Sequence, residues 1–407
     1  VARDTLAGML REVRLVACCA TALLAIAGRA SAALWDDDTM RTEASGLPEV
    51  VEVITGRFER NPPLYYEVRL AHAEKLLAGD PDAFNAYDNA GVACDRLGRG
   101  ADAIAWMEKK RDRLAGHPDS PDLEYRLHAN LGTFLARDWF RRGADRSDTG
   151  ELRRARDEIA EAVRMNPDAH FGREKVQLAA LEWSLEPPPW DGHVIPNLIQ
   201  RGTSTDGGPD LPADAVARGL AGNIVLGHGW ENPDAFAALG NTLAEGGRFV
   251  VAELAWLRVM ELARSGKRSM YPGAPEGEEL VAALVGRRIK ALRDARSVAV
   301  ASWYARARVA ADRWNAEREA YMLPRLREGR HPDWEPHFWA DFTPTGDAAE
   351  PSQMGIEWDA YWGGLFAGET RELVGTGIVL VLLALLVMLG VLFRRRIQRD
   401  RLRARKV

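Results

Sequence analysis

Residues Ala86 to Lys110 read AYDNAGVACDRLGRGADAIAWMEKK. Tyr87, Leu97, Ile104 and Met107 supply bulk, Ala90, Gly91 and Ala103 lie between them, and Leu97-Gly98-Arg99-Gly100 interrupts the periodicity. Apolar residues at three- and four-residue steps on both sides of a glycine-bearing turn predict two helices folded back on one another, with the small residues at their crossing. One such hairpin cannot bury its own apolar face. The reading therefore requires copies stacked beside it.

The copies are present. Tyr87-x2-Ala90-Gly91-x2-Cys94 followed by Ala103 and Met107 has the same spacing as Phe236-x2-Leu239-Gly240-x2-Leu243 followed by Ala252 and Trp256. Between them His128-x2-Leu131-Gly132-x2-Leu135 matches as a first helix, and Ala155, Ile159, Ala162 and Pro167 match as a second, with about eleven residues inserted at the turn. The pattern resembles the tetratricopeptide repeat (TPR) in a divergent form, over roughly 64–185 and 210–266. His128 takes the place of the large first residue, and the closing proline is displaced in the first copy and missing from the third. The resemblance implies an all-α fold, a TPR-like solenoid of helical hairpins whose concave face is lined by each first helix and binds a protein or peptide. On this sequence the residues it assigns to that face are Asn85, Asp88, Asn89 and Arg96, then Arg126, Asn130 and Arg137, then Asn241 and Glu245. Asn amides can bond an extended backbone and Arg can grip a carboxylate with two hydrogen bonds. The competing reading makes Asn89 and Asn130 fillers of the repeat and the arginines a solvated face.

Outside the copies the pattern stays helical. A helix is expected over about 64–78 and another over about 169–185. A Pro/Gly-rich loop, 187–212, then reads as a lid, a binding loop or a subdomain boundary. Helices resume at about Ala213. One long helical stretch is expected from Glu278 to Leu323, ended by Pro324, with Val300, Trp303, Ala307, Ala310, Trp314 and Tyr321 packed into its own domain. Residues 331–372 are rich in Trp, Phe and Tyr, of which Trp334 and Trp339 are expected to pack under the repeats and Trp358 to Phe366 to meet a membrane surface.

Two segments read as membrane signals. Arg11 and Arg14 precede the apolar run LVACCATALLAIAG and the small-x-small Ala30-Ser31-Ala32, which together fit a signal peptide over 1–32. Cys18 in Leu15-Val16-Ala17-Cys18 offers a lipidation site instead, and Val1 and Met9 are alternative starts. Leu373 to Phe393 is uncharged, as long as a bilayer is thick, and followed at once by the basic stretch 394–407. By the positive-inside rule that tail is cytoplasmic and the chain before it exported. The expected protein is thus a single-pass protein of the bacterial inner membrane with a periplasmic domain (33–186 and 213–330 helical). Its formal net charge is −5. The tail holds eight Arg/Lys against one Asp, so the portion between the membrane signals is strongly acidic, which excludes a nucleic-acid face there.

No chemistry-bearing motif stands out. With cleavage after Ala32, Cys94 is the one cysteine left, placed where the repeat wants a core residue. Asp145, Ser147, Thr149 and Gly150 begin like a calcium loop, but Arg156 stands where the bidentate Glu belongs. His331 and His337 in HPDWEPH lack metal-ligand spacing, and Gly227-His228-Gly229 reads as a turn. No nucleophile is placed beside a base, no phosphate-binding glycine loop occurs and no cofactor is implied. The expectation is a non-catalytic scaffold. The alternatives are an envelope enzyme or its accessory subunit, or a ligand sensor, with a site beside the 187–212 loop.

Overall fold

Short glycine-bearing and proline-bearing breaks decide where each helix stops. A computed structural model describes residues 49–117, 120–167, 172–199, 212–227, 229–286 and 295–345, and among the described residues the regular elements are helices without a strand. They are α1 (Val50–Thr55), α2 (Pro63–Gly79), α3 (Phe84–Arg96), α4 (Gly100–Leu114), α5 (Pro121–Arg141), α6 (Gly150–Met165), α7 (Arg173–Leu185), α8 (Ala213–Val225), α9 (Pro233–Glu245), α10 (Phe249–Arg264), α11 (Gly277–Val285) and α12 (Ala295–Arg327). The fold is all-α. The segments 1–32, 373–393 and 394–407 lie outside the described residues, as do His228, residues 200–211 of the long loop and Trp358 to Phe366. Among the described residues no helix is long and apolar enough to cross a membrane.

Three helix pairs, α3–α4, α5–α6 and α9–α10, share one turn and one crossing. Each first helix ends on a glycine of positive φ, Gly98 (+78°), Gly143 (+102°) and Gly247 (+77°). The N–H of the following residue donates back into the helix: Arg99 to Cys94 O at 2.8 Å, Ala144 to Trp139 O at 3.1 Å, Arg248 to Leu243 O at 2.8 Å. Only glycine adopts that φ without a Cβ penalty, so the chain reverses at these positions. At the crossings, a Cβ built on Gly91 meets Met107 Cε at 2.9 Å, one on Gly132 meets Ile159 Cγ1 at 2.7 Å, and one on Gly240 meets Trp256 Cδ1 at 2.6 Å. The insertion in the second pair is spread over a longer α5, a longer connection (142–149) and the start of α6.

By internal contacts the chain divides into two compact units. The described part of the first holds 61–185 and 322–341. In it α2 to α7 pack in chain order around Tyr65, Ala90, Met107, Leu131, Phe134 and Ile159, all fully buried. Residues 331–341 return to α2: Asp333 accepts from Arg69 Nε at 2.7 Å, Arg69 Nη2 at 2.9 Å and Tyr65 OH at 2.9 Å. Tyr65, His331, Trp334 and His72 form a four-ring stack with centroids 4.2, 4.4 and 4.1 Å apart. Trp334 therefore packs against the first helix of this unit.

The second unit holds 48–60, 186–321 and, among the described residues, 342–345. Here α9 packs on α8 and α10, α10 on α11, and α1 on α8 and α10. The loop after α1 is clasped by the long helix, with Arg308 Nη1 donating to Thr55 O at 2.7 Å and Asn315 Nδ2 to Gly56 O at 3.0 Å. Three guanidiniums lie over the Trp230 ring, Arg258 at 3.7 Å, Arg308 at 5.0 Å and Arg60 at 5.1 Å. The described part of the long loop docks on this unit too: Ile195 N donates to Ala283 O at 2.8 Å and Tyr271 OH to Pro188 O at 2.9 Å.

The expected single helix from Glu278 to Leu323 is not what forms. α11 stops at Val285, where Gly286 takes a φ of +59° and breaks the expected helix; residues 287–294 lie outside the described residues, and α12 is described from Ala295. Pro324 does not end α12, which runs on to Arg327. Proline lacks a donor for one helical bond and crowds the preceding turn, a disturbance that this helix accommodates within its last turn. Val300, Trp303 and Ala307 are buried in their own unit.

Candidate interaction face

The face is built by α3 and α5, the first helices of adjacent pairs. On α5 the residues Arg126, Asn130, Thr133, Arg137 and Arg141 follow one another at three- and four-residue steps, which aligns them on one stripe. On α3 the stripe is Asn85, Asp88 and Asp95. The two stripes meet as a polar ladder. Arg126 Nη1 donates to Asn85 Oδ1 at 3.0 Å, Asn130 Nδ2 to Asp88 Oδ1 at 3.0 Å, and Arg137 and Arg141 reach the two oxygens of Asp95 at 2.5 and 2.8 Å. On its other side α5 takes Gln177 of α7, whose Nε2 donates to Thr133 Oγ1 at 3.0 Å.

At the ladder's centre, Lys110 Nζ of α4 gives 2.7 Å bonds to both oxygens of Asp88. Lys110 and Asn130 are 0% exposed and Asp88 is 1% exposed. Burial pushes the Asp88 carboxyl up and the Lys110 ammonium down, and their mutual attraction works against both shifts. At the far end burial lowers the Arg137 guanidinium to about 10, Asp95 pulls it back up, and Arg96 and Arg141 push it down again. Arg96 lies 5.9 Å from the Tyr66 ring centroid. Arg137 and Arg141 thus share the Asp95 carboxylate, and Arg141 also reaches Asp138 at 3.2 Å.

The nine expected binding residues thus fall into two groups. Asp88 and Asn130 are interior residues that bond α3, α4 and α5 together, so their polar atoms are not on offer to a partner, and Arg137 is held by Asp95. The helix that follows in space, rather than solvent, is what these side chains face. Asn85 and Glu245 are exposed, and Asn89, Arg96 and Arg126 are half-buried. Asn241 is buried, and its Oδ1 lacks a hydrogen-bond partner among the described residues. The sequence reading missed Lys110, Asp95 and Arg141. The signal was there in Asp88 and Asp95, two acids a heptad apart on a helix whose neighbour carries arginines at matching steps.

Beside this face, His128 Nδ1 and Arg111 Nη2 both bond Glu158 at 2.6 Å. Burial raises the Glu158 carboxyl, but these bonds outweigh it and hold it below its ordinary value. Cys94 is buried, which pushes its thiol up to about 11 and leaves it unreactive. Asp145 Oδ1 accepts from Ser147 N at 2.9 Å and Ser147 Oγ at 2.7 Å, closing its loop on itself. Among the described residues no three His, Cys, Asp or Glu side chains converge as metal ligands. No protein-family model, curated protein or solved structure matches the chain. The reading of the face rests on its geometry.

Proposed function

We propose that the chain is a divergent tetratricopeptide repeat scaffold, non-catalytic and anchored in the bacterial inner membrane, whose exported helical domain holds a protein or peptide segment. What supports the repeat reading is one crossing made three times: Gly91 on Met107, Gly132 on Ile159 and Gly240 on Trp256, at the positions the repeat pattern names. Pairs built alike bury one another's apolar faces and leave first-helix side chains along one surface. In the first unit that surface carries Asn85, Asn89, Arg96 and Arg126 beside the Arg137 and Arg141 pair at Asp95, a combination suited to an extended segment carrying acidic groups. The membrane anchor and the export direction rest on the sequence of 1–32 and 373–407.

A photocrosslinking residue at Asn89, activated in intact cells, tests the binding face. One recurrent protein adduct that disappears in Arg96→Glu is expected. Adducts identical to those from Ala101, an exposed site on α4, count against the proposal. Protease added to cells stripped of their outer layer should digest the helical domain, and protection from it refutes the export direction.

A further inference from the structure

In the second unit the connection from α10 to α11, residues 265–276, is held by a carboxylate that has no counter-charge. Asp234, in the first turn of α9, is 2% exposed. One of its oxygens accepts from Ser269 Oγ at 2.7 Å and the other from Met270 N at 2.8 Å, and Ser269 Oγ accepts in turn from Tyr271 N at 3.0 Å. Beside them Asn232 Nδ2 donates to Met270 Sδ at 3.3 Å. Tyr271 carries the contacts outward: its hydroxyl donates to Pro188 O at 2.9 Å, and its ring meets Trp190 edge-on with centroids 5.9 Å apart. Asp234 thus fixes the connection, and the connection fixes the start of the segment 186–199.

The surrounding elements do not supply a cation. Lys267 pairs with Glu231 at 2.7 Å, Arg268 with Glu276 at 2.9 Å, Arg264 with Glu278 at 2.5 Å and Arg258 with Glu261 at 2.7 Å. Asp214 and Arg218 of α8 and Glu279 of α11 are exposed, and Glu253 of α10 is buried. Among the described residues none of these forms an ion pair with Asp234, and burial holds its carboxyl above the ordinary 3.8 although the bonds from Ser269 and Met270 pull it down. With the connection lifted away the same carboxyl meets water and returns to its ordinary value. The closed form therefore binds the proton more tightly than the open one, so closure is most favoured below 3.8 and weakens as pH rises through the raised value. Protonation sacrifices no contact: the carboxyl O–H can donate to Ser269 Oγ while the other oxygen still accepts from Met270 N.

We propose that Asp234 makes the 265–276 connection a pH-sensitive latch, which clamps Met270 and, through Tyr271, the chain at Pro188 and Trp190. Loss of the Asp234 proton loosens both. An unpaired buried carboxylate is costly to keep charged, and opening the latch is the way this unit hydrates it.

The test is amide hydrogen exchange of the full chain from about pH 4 to about pH 8, corrected for the intrinsic pH dependence of exchange, in peptides spanning 268–272 and 191–199. The second peptide contains Ile195, whose N–H donates to Ala283 O. Opening of 268–272 should rise by up to roughly tenfold per pH unit at the acid end and then level off. Asp234→Asn, which has the shape and the donor of the neutral acid, should keep 268–272 protected at every pH. Ser269→Ala removes one donor to the carboxylate and should carry the rise to higher pH. Tyr271→Phe should preserve the pH course at 268–272 and abolish it at 191–199. Exchange independent of pH in the natural chain overturns the latch, and so does an unaltered course in Asp234→Asn or Ser269→Ala. A course at 191–199 that survives Tyr271→Phe overturns its extension to that segment.

Discussion

Replacing Gly132 by Ala puts the helical crossing itself under test. An added Cβ comes within 2.7 Å of Ile159 Cγ1 and 2.9 Å of the Ala155 carbonyl oxygen. The first contact can relax by a rotamer change, but the second is backbone and moves only if α6 moves away from α5. Overpacking of this kind costs about 1–3 kcal/mol, against which alanine returns up to ~1 kcal/mol of helix propensity. The net loss is about 1–2 kcal/mol, which lowers a urea midpoint by roughly 0.5–1 M for a transition of ordinary steepness. Gly79, in the same unit and at the end of α2, has nothing within 4 Å of its missing Cβ. Gly79→Ala should therefore raise the midpoint slightly. The measurement is urea unfolding of both variants followed by circular dichroism, with Ile159→Val added to Gly132→Ala to recover part of the loss. If Gly132→Ala is as well tolerated as Gly79→Ala, the helices do not cross where the structure places them, and the repeat reading loses the observation that supports it.

Other outcomes follow from the buried polar groups. Lys110→Ala leaves the Asp88 carboxylate buried without its cation and should cost about 3–5 kcal/mol, while Asp88→Asn with Lys110→Met, which keeps an acceptor for Asn130, should recover most of it in the same unfolding assay. Glu158 has a folded-state pKa below its ordinary 4.5, so its contribution is present above that value and is lost as pH falls through the depressed one. Thermal midpoints measured between about pH 6 and pH 3 should fall less steeply for Glu158→Gln than for the natural chain. Cys94 should resist an aromatic disulfide reagent in the folded chain and react at the rate of unfolding of its unit, so a fast native reaction contradicts its burial.

The hairpins were legible because their evidence is local. Gly91 and Met107, or Gly240 and Trp256, are close in sequence, and the small-against-large pairing repeats at fixed spacing. The role of the polar residues was not legible for the same reason. Arg126, Asn130 and Arg137 sit on a helix face that reads as solvated until the neighbouring helix is placed, and only then do Asn85, Asp88 and Asp95 become their respective partners. A polar stripe toward a second helix and a polar stripe toward water have the same period. The break at Gly286 was missed because the residues on both sides keep helical spacing, and a glycine of positive φ overrides that spacing.

Long-range closure is a different limit, and it shapes how the chain must fold. In the first unit Arg69 and Tyr65 of α2 bond Asp333, 264 and 268 residues later, and in the second Arg308 bonds Thr55 O, 253 residues earlier. Each unit is thus a series of neighbour contacts finished by one segment from the far end of the chain. Neighbour contacts have little loop entropy to overcome and form early, whereas these closures wait for most of the chain to be made. Until then α2 presents Tyr65 and His72 without the rings that stack on them, and the carbonyls of Thr55 and Gly56 lack Arg308 and Asn315 as donors. A chain ending at Tyr321 keeps every helix pair but loses Asp333, His331 and Trp334 together. It should therefore retain its helical circular dichroism while amide exchange quickens across α2. Unchanged protection of α2 in that truncated chain means that the helix pairs alone hold it, and that the four-ring stack is an ornament of the fold rather than its closure.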